Sequence, residues 1–320
     1  MIDFNDILKL SQKELFGYLK KIFGKKAICS KGNYILIPGD APVMLIAHMD
    51  TVHKETVKQI CKSRDGNIIM SPQGIGGDDR CGVFGTLCVY STAKAKPWLL
   101  YTCDEETGGQ GARVFCAHYR AGKLPKGIDK LKLLIELDRK GHNEAVYYSC
   151  DNTELETYIT SKGYETDWGS YSDIATIAPE LGIAAVNLSA GYYNAHTLHE
   201  YIVLSHLNDT IRTVSEIVAE AAQNKIPKYE YIEAPPKKVG KGHSWGVHRY
   251  YASLYDNLNH IPLEIRDEYE ELLDYYTMSE LDMIREDYGD CAILMMYESE
   301  LGTYCRDYGD YGDTDDKKDT

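Results

Sequence analysis

Residues 43–50 read VMLIAHMD, five apolar residues that end in His48, Met49 and Asp50. A short unbroken apolar run that follows the turn chemistry of Gly39, Asp40 and Pro42 is the pattern of a strand buried on both faces. Strand side chains alternate, so His48 and Asp50 point the same way. A strand built for burial has no packing reason to finish with an imidazole and a carboxylate side by side.

Working outward, the same pattern recurs. NYILIP at 33–38 reads as the preceding strand, and NIIM at 67–70, LLYTC at 99–103, LKLLIEL at 131–137 and IAAVNLS at 183–189 read as further strands. Helical spacing runs through 5–23, closed by Gly24, and helices are expected at 80–94, 109–120, 172–181 and 205–223. Near-continuous apolar strands alternating with helices predict an α/β domain: a mostly parallel, mixed sheet with helices on both faces. Ligands of such sheets bind beyond the carboxyl ends of the strands.

Those ends carry chemistry. VMLIA runs into His48 and Asp50, LLYTC into Asp104, Glu105 and Glu106, and LKLLIEL into Asp138. The loop QGIGGDDRCG after NIIM carries Asp78 and Asp79, and GYYNAHTLHE after IAAVNLS carries His196, His199 and Glu200. Two histidines and several carboxylates converging on one sheet edge suit a pair of divalent cations, because the acids alone would repel one another. Asp50 can accept the second ring N–H of His48 and fix its tautomer. Adjacent Glu105 and Glu106 face opposite sides, so one can hold metal while the other stays free as a base.

The motifs AHMDTV at 47–52, GGDDRCG at 76–82, DEETGGQGA at 104–112, ELD at 136–138 and HTLHE at 196–200 resemble, in order and spacing, the di-zinc exopeptidase clan of aminopeptidases, carboxypeptidases and deacylases, including the peptidase T and succinyl-diaminopimelate desuccinylase relatives. YSDIATIAPELGIAAVNL at 171–188 also resembles that clan's approach to its last ligand, and the match runs over about 40–220. The resemblance implies that His48 and Asp138 hold one metal, Glu106 and His196 the other, and that Asp78 bridges them. It makes Glu105 the general base, Asp50 the residue that orients His48, and Asp78–Asp79 a cis peptide. Two Zn2+ ions are the implied cofactors, with Co2+ or Mn2+ as alternatives.

The chain departs from the lidded relatives. Asp138 and His196 are 58 positions apart, and a strand and a helix already fill most of that length, so the expectation is a lidless form. Tyr192 or Tyr193 is then a candidate oxyanion donor. Asp173 after Ser172 reads as a helix cap, with contact to a substrate amine as the alternative. Asp79 and Arg80 read as a pair or a cap, His199 as a surface residue, and Glu200 as an orienter of its loop. Gly74, Gly76 and Gly77 lack the Lys-Ser ending of a phosphate loop and read as a turn that places Asp78.

The formal charge of −14 argues against nucleic acid. Residues 241–320 hold 20 Asp/Glu against 7 Lys/Arg, so they carry −13 of it. Expected units are a catalytic domain at 1–234, an acidic, Tyr-rich, mostly helical appendage at 235–305, and a disordered tail at 306–320. The appendage is read as solvated, with docking to a basic protein partner as the second reading; its HSWGVH at 243–248 brings two histidines without further ligands nearby. No run approaches a membrane span, the N-terminus lacks a signal-peptide layout, and nine cysteines without a CxxC pair suit reduced thiols. A cytoplasmic location is expected. The expected function is a metallopeptidase hydrolysing a terminal amide of short peptides, as an aminopeptidase or dipeptidase. An N-acyl amino acid deacylase is the alternative within that chemistry, and a non-catalytic binding protein the alternative outside it; the presence of Glu105 speaks against the latter.

Overall fold

A computed structural model describes residues 3–234, save Ser170, and scattered positions between 269 and 297. Contacts divide the chain into two compact units, Met1–Gly240 and Lys241–Thr320. In the second, the helical residues Tyr269, Leu272, Leu281 and Ile293 pack into a small apolar core of their own. Residues 235–268, with the HSWGVH stretch, and the tail from 306 lie outside the described residues.

The first unit begins with α1 (Phe4–Leu8) and α2 (Gln12–Phe23), followed by β1 (Ile28–Ser30), β2 (Tyr34–Ile37), β3 (Val43–His48), β4 (Cys61–Lys62) and β5 (Ile68–Met70). Next come α3 (Gly77–Thr92), β6 (Trp98–Thr102), α4 (Gln110–Arg120), β7 (Leu133–Arg139), β8 (Glu144–Val146), α5 (Thr153–Thr160) and β9 (Glu165–Asp167). It ends with α6 (Asp173–Leu181), β10 (Ala185–Ser189), β11 (Tyr192–Tyr193), β12 (Tyr201–Val203) and α7 (Leu204–Ala222).

The large sheet has the order β1-β2-β6-β3-β7-β10-β8-β9. Its centre, β6-β3-β7-β10, is parallel, while β1, β2 and β8 join antiparallel to their inner neighbours. The mostly parallel α/β sheet expected from the apolar runs is therefore present. Strand alternation splits each run between two cores. Val43, Leu45 and Ala47 of β3 face the core that contains α1, α2, α3 and α7, and Met44 and Ile46 face the one that contains α4 and α6. Burial on both faces is why these strands are almost wholly apolar until they end, Glu136 of β7 and Asn187 of β10 being the buried exceptions.

Connections leave β3 towards β6 on one side and cross to β7 on the other, so the end of β3 lies at the point where strand order reverses. His48 stands there. A second, antiparallel sheet, β11-β12-β5-β4, carries the NIIM segment away from the main sheet. One expected helix proves to be two: Ser11 accepts from Glu14 N while Glu14 accepts from Ser11 N, and this capping box starts α2 afresh after α1. Among the described residues no helix is long and apolar enough to cross a membrane, and the described cysteines are free.

Candidate metal centre

The five expected ligands come from five segments and meet at the carboxyl edge of the sheet. His48 Nε2 lies 3.0 Å from Asp78 Oδ1 and 3.4 Å from Asp138 Oδ1. His196 Nε2 lies 3.1 Å from Asp78 Oδ2 and 3.2 Å from Glu106 Oε2. Each oxygen of Asp78 thus faces a different histidine, and each histidine has one further acid.

These spacings test whether cations fit. Ligand atoms around a tetrahedral zinc lie about 3.3 Å from one another, given bonds of about 2.0–2.1 Å. The four contacts bracket that edge. Glu106 Oε1 is buried without a hydrogen-bond partner among the described residues, an expense that a bound cation removes. Ligand atoms of His48, Asp78 and Glu106 also fall within 4.8 Å of one another, as do those of His48, Asp79 and Asp138. Asp79 is nevertheless committed elsewhere: its Oδ2 accepts from His48 N at 3.1 Å and its Oδ1 from Gly82 N at 2.8 Å. It caps the helical part of α3 and ties that helix to the end of β3. His48, Asp78, Asp138, Glu106 and His196 are therefore a donor set that could hold metal.

The electrostatics agree with a site shaped for positive charge. Burial works to raise Asp78, but the imidazoles of His196 and His48 outweigh it and hold the carboxyl well below its usual range. Burial works to lower His48 and His196, and the surrounding carboxylates hold both well above the ordinary imidazole value. Asp138 is pushed up to about 7 by burial and by Asp78. Glu105 is pushed up to about 9 by burial and, against the pull of His48, by Asp138, Asp173 and Glu106. Crowded carboxylates of this kind need cations to ionise together.

Each ligand is placed by groups outside the cluster. Asn187 of β10 accepts from Asp138 N at 2.8 Å and donates to Asp138 O at 2.9 Å. Glu200 accepts from Gly76 N at 2.8 Å and from Asp78 N at 2.9 Å, and His53 Nε2 lies 2.8 Å from it, so it holds the turn that presents Asp78. The Asp78–Asp79 peptide is cis. His196 adopts φ 66°, a left-handed conformation that its loop must impose on a non-glycine residue. Arg80 does not pair with Asp79; its guanidinium donates to the carbonyls of Met49, Asp50 and Leu10.

Asp50 does more than the sequence predicts. Its Oδ1 lies 3.3 Å from His48 Nδ1, and its two oxygens also accept from Glu105 N at 3.1 Å and Glu106 N at 3.0 Å. One carboxylate therefore sets both a ligand and the loop of the expected base.

Of the remaining candidates, Tyr192 is buried and its hydroxyl donates to Asp138 Oδ1 at 3.2 Å. The Tyr193 hydroxyl lies 2.7 Å from His206 Nδ1 and its ring stacks on Tyr201, which commits it away from the cluster. Asp173 caps nothing: Ser172 is the N-cap of α6 and sends its hydroxyl to Glu136, while fully buried Asp173 accepts from the Thr102 hydroxyl. His199 is exposed, as expected.

Solved structures share this architecture. An aminopeptidase PepT from Bacillus cereus superposes at TM-score 0.54, with 16% identity, covering 68% of this chain and 97% of its own. The chain has the fold of these aminopeptidases. A tripeptidase from Staphylococcus aureus matches at TM-score 0.52, with 15% identity, over 69% of this chain and 97% of that one. An aminopeptidase from the archaeon Desulfurococcus kamchatkensis matches at 0.50, with 14% identity, over 69% and 96%. No protein-family model matches the sequence, and no curated protein matches it. On the shared fold, the ligand cluster occupies the edge where strand order reverses.

Proposed function

We propose that the protein is a di-zinc metallopeptidase that hydrolyses the terminal amide bond of short peptides, as an aminopeptidase or dipeptidase. One observation carries the reading: the two oxygens of Asp78 face two histidines, each with its own second acid. A bridging carboxylate flanked by two such half-sites is the minimum apparatus for a co-catalytic metal pair. The fold shared with solved aminopeptidases supports the same class of chemistry.

His48 and Asp138 would hold one ion, Glu106 and His196 the other, and Asp78 both. When bound, the ions supply Lewis acidity, which polarises a carbonyl and makes water acidic near neutral pH. Glu105 is the residue free to take a proton from water and return it to the leaving amine, since its neighbour Glu106 is turned to His196. Asp50 keeps the two glutamates in those different roles by holding both of their amides.

Metal analysis of the purified chain, with a panel of dipeptides, tripeptides and N-acylated amino acids, tests the proposal. Two ions per chain and cleavage confined to free-amine substrates are expected. Cleavage of acylated substrates alone moves the reading to a deacylase, and absence of both metal binding and turnover moves it to a binding protein.

A further inference from the structure

Where the chain leaves the sheet after β6, three consecutive amides, those of Asp104, Glu105 and Glu106, have no backbone acceptor among the described residues. Amides that leave a ladder must find partners elsewhere. Asp50 takes two of them, Glu105 N at 3.1 Å and Glu106 N at 3.0 Å. Gln12 takes the third. Asp104 N donates to Gln12 Oε1 at 3.1 Å, and Gln12 Nε2 donates to Asp104 Oδ1 at 2.8 Å.

The pairing calls for a carboxamide. Asp104 presents an N–H donor and a carboxylate oxygen side by side, and a carboxamide carries an acceptor and donors on one planar end. A carboxylate in its place has acceptors alone, and an amine or guanidinium has donors alone. The conformation held is one that costs a residue with a side chain: Asp104 has φ 57°, in the left-handed region. Gln110 N donates to Asp104 O at 3.2 Å, and Gly108 N and Gly109 N donate to Glu105 O at 3.0 Å, so the turn that carries both glutamates begins at this residue.

Gln12 is itself fixed. It is the first residue of α2, directly after the Ser11 cap, and Leu15 and Leu19 of the same helix are wholly buried. Leu10 O accepts from Arg80 at 2.9 Å, and the same guanidinium reaches Met49 O and Asp50 O. The clamp is thus anchored to the core and to the end of β3, independently of the loop it holds. Gln12 also lines a cavity of about 530 Å3 bordered by Asp104 and Glu106, but both polar atoms of its carboxamide are engaged by Asp104.

We infer that Gln12 is a positioning residue for Glu105: it imposes the left-handed turn at Asp104 that aims the loop of the expected base, and with Asp50 it holds that loop from two sides. The inference rests on the peptidase reading above, in which Glu105 is the base.

Gln12→Met keeps the length of the side chain and removes both hydrogen bonds. Gln12→Met/Asp104→Gly adds a residue that adopts positive φ without steric cost. Amide hydrogen exchange over 103–110 is measured on the full chain with and without zinc, beside kcat and KM at saturating zinc for a dipeptide that the wild type cleaves. Gln12→Met should speed exchange in this stretch about tenfold, the effect of one lost hydrogen bond. It should lower kcat about 10–100-fold, as displacement of a catalytic group by about an ångström does, with KM little changed. The double variant should regain most of the lost kcat. Unchanged exchange, or unchanged kcat whatever the thermal midpoint, overturns the inference. So does a rise in KM at constant kcat, which would put Gln12 on the substrate, or a double variant no faster than Gln12→Met. Should Gln12→Met fail to fold, Gln12→Glu, which keeps an acceptor for Asp104 N and loses the donor to Asp104 Oδ1, decides by the same readings. A wild type that binds zinc and cleaves no peptide overturns the peptidase reading instead, and exchange then decides whether Gln12 holds the loop.

Discussion

Replacing Asp50 by alanine should damage metal binding and catalysis together, although Asp50 is not an expected ligand. Its carboxylate accepts two amides, Glu105 N and Glu106 N, and lies 3.3 Å from His48 Nδ1. Removing it leaves two partly buried N–H groups without acceptors, at about 1–3 kcal/mol each where water cannot replace the lost oxygen. It also frees His48 to rotate or change tautomer. Loss of a group that orients a metal-bound histidine typically lowers affinity about 10–100-fold, or roughly 1.4–2.7 kcal/mol. The loop carrying Glu105 and Glu106 loosens at the same time, so kcat should fall even at saturating zinc. Zinc affinity by competition with a chromophoric chelator, paired with kcat at saturating zinc, reads the two effects separately. Asp50→Asn retains one acceptor oxygen and should fall between Asp50→Ala and the wild type. Asp50→Ala with unchanged zinc affinity and unchanged kcat refutes the dual role.

Glu105→Gln should retain both ions by metal analysis but lose about 10²–10⁴-fold in kcat, the usual contribution of a positioned general base; retained turnover removes Glu105 from the mechanism. Glu200→Ala strips acceptors from Gly76 N and Asp78 N, so denaturant unfolding should show a loss of about 2–5 kcal/mol and zinc binding should weaken at both half-sites. Weakening at one half-site only would show that Glu200 does not act through Asp78. Gly82→Ala places a methyl against Leu137 O and the Asp79 carboxylate, where there is no room, and should cost about 1–3 kcal/mol of stability; an unchanged thermal midpoint would contradict that close approach.

The central sheet was legible because its strands are buried on both faces: VMLIA, LLYTC and LKLLIEL each announce themselves by an apolar run. The candidate ligands at strand ends stood out for a related reason, since a run that stops abruptly at an acid or imidazole marks the strand end. Short strands carried less signal. β8 and β9 have three residues each, and α5 lies in a stretch that reads as merely polar. The break between α1 and α2 was written in Ser11 and Glu14, a capping box within an otherwise helical spacing. The supports were the least legible part. Gln12 meets Asp104 across 92 positions and Glu200 meets Gly76 across 124, and no local pattern announces such pairs. His53, adjacent to Glu200, was missed for the same reason. Tyr192 and Asp173 sit close to the cluster, as their positions suggested, but the direction of one hydroxyl and the burial of one carboxylate are not written in the local sequence.

The claim on which the account depends is that Asp78 is shared between two ions. Crystals of the zinc-loaded full chain, measured on both sides of the zinc absorption edge, test it directly. Two anomalous peaks about 3.5–4 Å apart are expected, one beside His48 and Asp138, the other beside Glu106 and His196, with one oxygen of Asp78 directed to each. A single peak, or two peaks that do not share Asp78, would contradict it.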